Sequence, residues 1–214
     1  MASSYGSDAS KSALRNGYVA LGRSLSPQMC ARIDARVCSM FALLPEYVQC
    51  SLLLCYIPFH EEVDPFALAR RARAAGKRVA FPLMEKQGSK LTFYEVGNLD
   101  DLSKGARGLY ETSQSHAACL GDKIMPGELA TSVCLVPGLV FDAEGFRVGF
   151  GAGYYDEFLA SYLGFKVGLA RSYQVSSNPL PAHEHDVCVD ALVTEGSIWR
   201  CRTPEKYRQE RSES

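Results

Sequence analysis

Apolar residues recur along the chain with two periods, and the switches between them lay out the expected elements. Leu14, Tyr18 and Leu21 share one stripe at helical spacing, with Lys11 and Arg15 one turn apart beside it. That pattern predicts a helix over residues 11–21, although Gly17 and Gly22 weaken it. Ser26-Pro27 has the form of an N-cap followed by proline at the first helical position. Met29, Ile33, Val37, Met40, Phe41 and Leu44 then keep helical spacing up to Pro45. Residues 50–57 form a continuous apolar run, which predicts a buried strand ending at Pro58. After Asp64-Pro65 a further helix is expected over 66–75, closed by Gly76, and residues 79–83 read as the next strand. Strand, helix and strand within about 35 residues have the dimensions of a βαβ unit.

Residues 91–96 predict another strand. The stretch 97–128 is rich in Gly, Ser and Asp with little periodicity, and is expected to be a long, functional loop region. Residues 133–136, 166–170 and 187–193 complete the set of expected strands. Strands alternating with helices predict a single-domain α/β fold, a three-layer α/β/α sandwich with a mixed, largely parallel sheet. Ligands in such folds lie at the carboxyl ends of the strands. The domain is expected over 11–199. Residues 1–10, Ser/Ala/Gly-rich with neither the apolar core of a signal peptide nor the Arg-rich face of a transit peptide, are expected to be a disordered lead-in. Residues 200–214 are expected to be a fraying polar tail.

Composition narrows the function classes. The 214 residues are 47% hydrophobic and 22% charged, a balance that excludes a disordered or fibrous chain. With 23 Lys and Arg against 24 Asp and Glu, the formal charge of −1 offers no global field to draw in nucleic acid or an anionic membrane. Anionic ligands must be held locally. No apolar run is long enough to span a bilayer. The eight cysteines form no C-x-x-C pair and sit mostly in apolar runs, so they are expected to be reduced, buried thiols of a cytoplasmic protein. The chain is expected to act as a monomer.

The densest chemistry lies in Pro137–Asp156, where glycines alternate at 149, 151 and 153. Tyr155, Phe158, Leu159, Tyr162 and Leu163 follow at helical spacing, so a helix opens directly out of the glycine run. Glycines let backbone approach a ligand closely, and a helix start offers unpaired N–H groups. Arg147 adds a fork of donors. A phosphate cradle and a glycine-rich turn packed under the sheet both fit this pattern. Neither the Walker loop nor the dinucleotide fingerprint has this spacing. Asp156, in the first helical turn, fits either a dipole-favoured carboxylate or a magnesium ligand beside a polyphosphate. In His183-Glu184-His185-Asp186 the two histidines favour an exposed polar loop over a metal site, since no third His or Cys lies near in sequence. Asp186 stands apart, because it precedes an expected strand. The chain carries no G-x-S-x-G nucleophile elbow and no S-x-x-K.

The segment P-G-L-x-F-D-x-x-G-x-R-x-G-x-G-x-G-Y-Y-D resembles the signature of 5-formyltetrahydrofolate cyclo-ligases, also called 5,10-methenyltetrahydrofolate synthetases. The likeness extends over roughly residues 11–196. Lys11 to Arg15 resembles the family's N-terminal Lys-x-x-x-Arg helix, and 76–82 its G-K-x-V-x-x-P strand. His185-Asp186 with Asp190 resembles its closing H-D-x-x-x-D segment.

The resemblance implies an ATP- and magnesium-dependent ligase. ATP would phosphorylate the formyl oxygen of 5-formyltetrahydrofolate, and folate nitrogen-10 would close the ring to 5,10-methenyltetrahydrofolate. It also implies ATP contacts from Lys11, Arg15, Arg147, Val148, Gly149, Phe150, Gly151, Ala152, Gly153, Tyr154 and Tyr155. Folate contacts would come from Ile57, Glu62 and the turn Phe150, Gly151, Ala152, Gly153 and Tyr154. Asp156 and Asp186 would hold magnesium. No residue acts as a protein nucleophile. Two departures stand out: Phe150 and Ala152 occupy positions where some relatives carry basic residues or glycine, and Gly108 to Thr112 only loosely echoes the family's G-I-x-E-P. The alternative function is a non-catalytic folate- or nucleotide-binding protein on the same scaffold.

Overall fold

A computed structural model describes residues 8–84, 90–99, 102 and 120–201. In chain order its elements are helices α1 (Asp8–Arg23), α2 (Pro27–Phe41) and α3 (Pro45–Gln49), then strand β1 (Leu52–Leu54). Helix α4 (Phe66–Ala74) leads to β2 (Arg78–Met84) and β3 (Leu91–Val96). After these come β4 (Leu120–Lys123), α5 (Pro126–Leu129), β5 (Val133–Val136), β6 (Val140–Phe141) and β7 (Arg147–Val148). Helix α6 (Tyr154–Ala160), β8 (Phe165–Leu169), a 3-10 turn (Ser172–Gln174), β9 (Ala191–Val193) and β10 (Ile198–Arg200) complete the described chain.

Among the described residues, eight strands form one sheet in the order β10-β9-β8-β5-β1-β2-β3-β4. The run β9-β8-β5-β1-β2 is parallel, and β10, β3 and β4 add antiparallel edges. Successive residues of a strand face opposite layers, as the pleat requires. Val133 and Leu135 of β5 pack with Val37 and Phe41 of α2 and Leu68 and Ala72 of α4. Cys134 and Val136 pack instead with Leu159 of α6, Tyr162 and Phe141. Because both faces are covered, the central strands read as unbroken apolar runs. The architecture is the expected α/β sandwich with a mostly parallel mixed sheet. No helix among the described residues is long and apolar enough to cross a membrane.

Several expected boundaries move, each for a local reason. The first helix opens at Asp8, so residues 8–10 belong to α1 and not to a lead-in; residues 1–7 lie outside the described set. At the other end Arg200, the first residue of the expected tail, pairs in β10, and residues 202–214 also lie outside the described set. Residues 97–128 are not loop throughout: they hold β4 and most of α5. An edge strand of sequence Leu-Gly-Asp-Lys carries no apolar alternation to announce it. The strand expected over 187–193 shrinks to Ala191–Val193 because the backbone before it bonds elsewhere. Val187 N–H donates to Asp156, Val187 C=O accepts from Arg147, and Val189 N–H donates to Gly145. The helix expected to reach Leu163 stops at Ala160, leaving Leu163 83% exposed.

Candidate active site

A cleft of about 260 Å³ opens where β1 and β5 end, lined by Glu62 and Pro137 beyond those strands, the turn 147–156, and Lys11, Arg15 and Asp186. Placement at the carboxyl ends of parallel strands is where this sheet type binds ligands. Helix α1 reaches it by packing Leu14 and Tyr18 on Val140, Val148 and Leu180, at the hairpin of β6 and β7. Asp142 shapes that hairpin: Oδ1 accepts the N–H groups of Glu144 and Phe146, and Oδ2 that of Leu180. The glycine at 145 has φ 89°, and a Cβ there would lie 2.5 Å from the carbonyl of Val189. Much of the sequence motif therefore builds the hairpin that presents Arg147.

Every cation of the cleft is held by the protein itself. Lys11 Nζ lies 2.5 Å from Asp186 Oδ2 and is only 7% exposed. Arg15 Nε donates to the Gly149 carbonyl at 2.7 Å. Arg147 donates to Asp156 Oδ1 at 3.0 Å and to the Val187 carbonyl at 2.7 Å. These contacts fix three cations around the glycine turn. Gly151 has φ 95°, and a Cβ there would come within 2.9 Å of Arg15 Nη2, so backbone and guanidinium can close up only around glycine. Helix α6 has only seven residues, so an anion in this cleft would depend on these cations more than on a helix dipole.

On the opposite chemistry, Glu62 is 5% exposed and its Oε2 accepts the Phe59 N–H at 2.9 Å. Burial pushes its carboxyl up to about 8, against the opposing pull of that hydrogen bond and of the Arg147 charge. A side chain so placed meets a ligand as donor or acceptor near neutral pH. Tyr155 lines the same cleft, and its buried hydroxyl has no partner among the described residues. Burial also holds that phenol well above its ordinary value. Phe59, His60 and Phe150 make an aromatic cluster beside the turn, with ring centroids 4.7 Å apart for Phe59–Phe150 and 5.4 Å for His60–Phe150.

The profile of the 5-formyltetrahydrofolate cyclo-ligase family matches residues 7–195. The chain belongs to that family. It is thereby an enzyme of the ligase class. A 5-formyltetrahydrofolate cyclo-ligase of Escherichia coli K12 is 25% identical over 181 residues, covering 83% of this chain and 96% of the relative. The solved 5,10-methenyltetrahydrofolate synthetase of Aquifex aeolicus is 33% identical with a TM-score of 0.70, covering 90% of this chain and 93% of that one. The synthetase of Mycoplasma pneumoniae, 20% identical with a TM-score of 0.65 over 86% and 98% of the two chains, shares the fold.

Of the cyclo-ligase residues expected from sequence, the cleft gathers Lys11, Arg15, Glu62, Arg147 through Asp156, and Asp186. Ile57 is the exception. It is buried in the core with α2 and α4 and does not line the cleft, because it is still part of the apolar run that follows β1. The loose G-I-x-E-P echo at 108–112 lies outside the described residues. Leu91 lines the cleft without having been singled out by sequence, and Phe59 and His60, which follow Pro58 at a strand's carboxyl end, pack on Phe150 of its wall. His183 joins the cleft wall, while among the described residues no three His, Cys, Asp or Glu gather to hold a metal by themselves. The residues nonetheless fit magnesium that arrives with a phosphate ligand. Asp156 and Asp186 are hard oxygen donors, and each has a second oxygen without a hydrogen bond among the described residues. Magnesium is commonly held by one or two carboxylates plus substrate phosphates.

Proposed function

We propose that the chain converts 5-formyltetrahydrofolate to 5,10-methenyltetrahydrofolate with ATP and magnesium, releasing ADP and phosphate. The observation that carries this reading is the pairing, in one cleft, of a three-cation glycine turn with a buried carboxyl facing it. The first suits a triphosphate and the second the nitrogen-rich edge of a pterin.

In this reading Lys11, Arg15, Arg147 and the backbone of 148–155 hold the triphosphate. Glu62 and the Phe150–Tyr154 turn hold the folate. The formyl oxygen attacks the γ-phosphorus and displaces ADP, giving an iminium phosphate. Nitrogen-10 then adds to the activated carbon, loses its proton, and the C–O bond to phosphate breaks as the ring closes. Magnesium bound by Asp156 and Asp186 would supply charge neutralisation on the phosphates. The protein's part is positioning and electrostatic support, which needs no nucleophile. Consistent with that, Cys134 is buried near the turn with its thiol pushed up to about 12 by burial, a poor nucleophile. The seven described cysteines are free, which fits a cytoplasmic protein.

The test is direct. Purified protein is incubated with 5-formyltetrahydrofolate and Mg·ATP while the near-ultraviolet absorbance of the methenyl product is followed. An ATP-dependent rise is expected; folded protein that gives none would sink the reading.

A further inference from the structure

Arg171, just after β8, and Asp34, on α2, form a buried two-point ion pair. Nε and Nη2 meet Oδ1 and Oδ2 at 2.8 and 2.9 Å, with exposures of 4% and 7% for the two residues. Neither residue lines the cleft. The same guanidinium donates to the carbonyls of Glu61 at 2.8 Å and Glu62 at 3.3 Å. Gln174 also donates to the Glu61 carbonyl at 3.1 Å, and Asp34 Oδ2 accepts the Asp64 N–H at 3.1 Å. Four hydrogen bonds thus hold the backbone of residues 61–64 from one ion pair and its neighbour.

A buried ion pair gains little over an apolar pair of equal volume, so stability alone does not explain it. The segment it grips supplies the explanation. Residues 58–65 contain no helix or strand, and His60 sits at φ 51°. Within the segment, the backbone bond from Glu62 N–H to the Phe59 carbonyl spans 3.3 Å. Yet this segment carries Glu62 into the cleft and sets Phe59 and His60 against Phe150 of its wall.

The geometry points to Arg171 as a positioning residue: locked by Asp34, it fixes the Glu61–Glu62 backbone and so sets where the Glu62 carboxyl meets the folate. This rests on the folate reading of the cleft. Lysine at 171 would keep the charge and lose the fork.

The deciding experiment compares Arg171→Lys in wild-type and Glu62→Gln backgrounds. In the wild-type background the folate KM should rise roughly tenfold, the ATP KM should move less than about twofold, and amide exchange across 58–64 should quicken. In the Glu62→Gln background the added folate effect should fall below about twofold, since the two residues act as one. Equal losses for folate and ATP, or full multiplication of the two folate effects, would overturn the proposal. If Arg171→Lys does not fold, the paired change Asp34→Leu with Arg171→Met removes both charges together and should reproduce the folate-selective loss. Wild-type protein that turns over no 5-formyltetrahydrofolate would refute the folate reading. Exchange across 58–64 then decides the clamp alone, and an unchanged rate overturns it.

Discussion

Glu62→Gln separates what the buried carboxyl does for the site from what it costs the fold. The ordinary carboxyl value is 4.5, and burial raises it in the folded chain to about 8. Between those values the unfolded chain has released the Glu62 proton while the folded chain retains it. Stability tied to this residue is therefore fully present below about pH 4.5 and is lost as pH rises through about 8. At 1.36 kcal/mol per pH unit, the full interval has a ceiling of about 5 kcal/mol. Part of that is shed if the segment near Phe59 relaxes toward water at high pH, leaving on the order of 2–3 kcal/mol. Glutamine keeps the shape and can still accept the Phe59 N–H, but it never ionises. The variant should match wild type at pH 5 and exceed it at pH 9 by about 1 M in urea midpoint, taking roughly 2 kcal/mol per molar as the slope. Urea unfolding at pH 5, 7 and 9 reads this directly. Stability profiles running parallel across that range would refute the reasoning.

Asp156→Asn should cut turnover by roughly 100-fold at physiological magnesium, while unfolding free energy falls by only about 1 kcal/mol, because the Arg147 pair is partly solvated. Normal turnover across a magnesium titration would remove Asp156 from the metal. Gly151→Ala should cost roughly 1–2 kcal/mol for its positive φ, and raise the ATP KM about tenfold by displacing Arg15 from the Gly149 carbonyl. Calorimetry and ATP titration check the two parts separately. Tyr155→Phe removes a buried hydroxyl that has no partner among the described residues, so thermal unfolding should show a gain of up to about 1 kcal/mol together with slower turnover. A lower melting temperature would mean that the hydroxyl is satisfied after all.

Strands β3 and β5 coincide with their sequence expectations to the residue, because side-chain alternation in β3 and a short apolar run in β5 leave little choice of boundary. The site was legible to a similar depth: Lys11, Arg15, Arg147, the glycines, Asp156 and Asp186 do converge. What periodicity could not carry was backbone diverted into the site. Val187 looks like strand but spends its N–H and C=O on Asp156 and Arg147. Ile57, in the apolar run that follows β1, packs in the core and does not line the cleft. The Arg171–Asp34 pair spans 137 residues of sequence, and no local pattern announces such a contact.

The Lys11–Asp186 contact joins residues 175 apart in sequence, and Arg15 meets Gly149 across 134. During synthesis the N-terminal helix emerges long before either partner exists. A nascent chain can thus assemble α2, β1, α4 and β2 while the glycine turn of the cleft is still missing. Stabilisation by a ligand of this cleft can come only after both sides of it exist, so such a ligand would protect the finished fold without guiding its early steps.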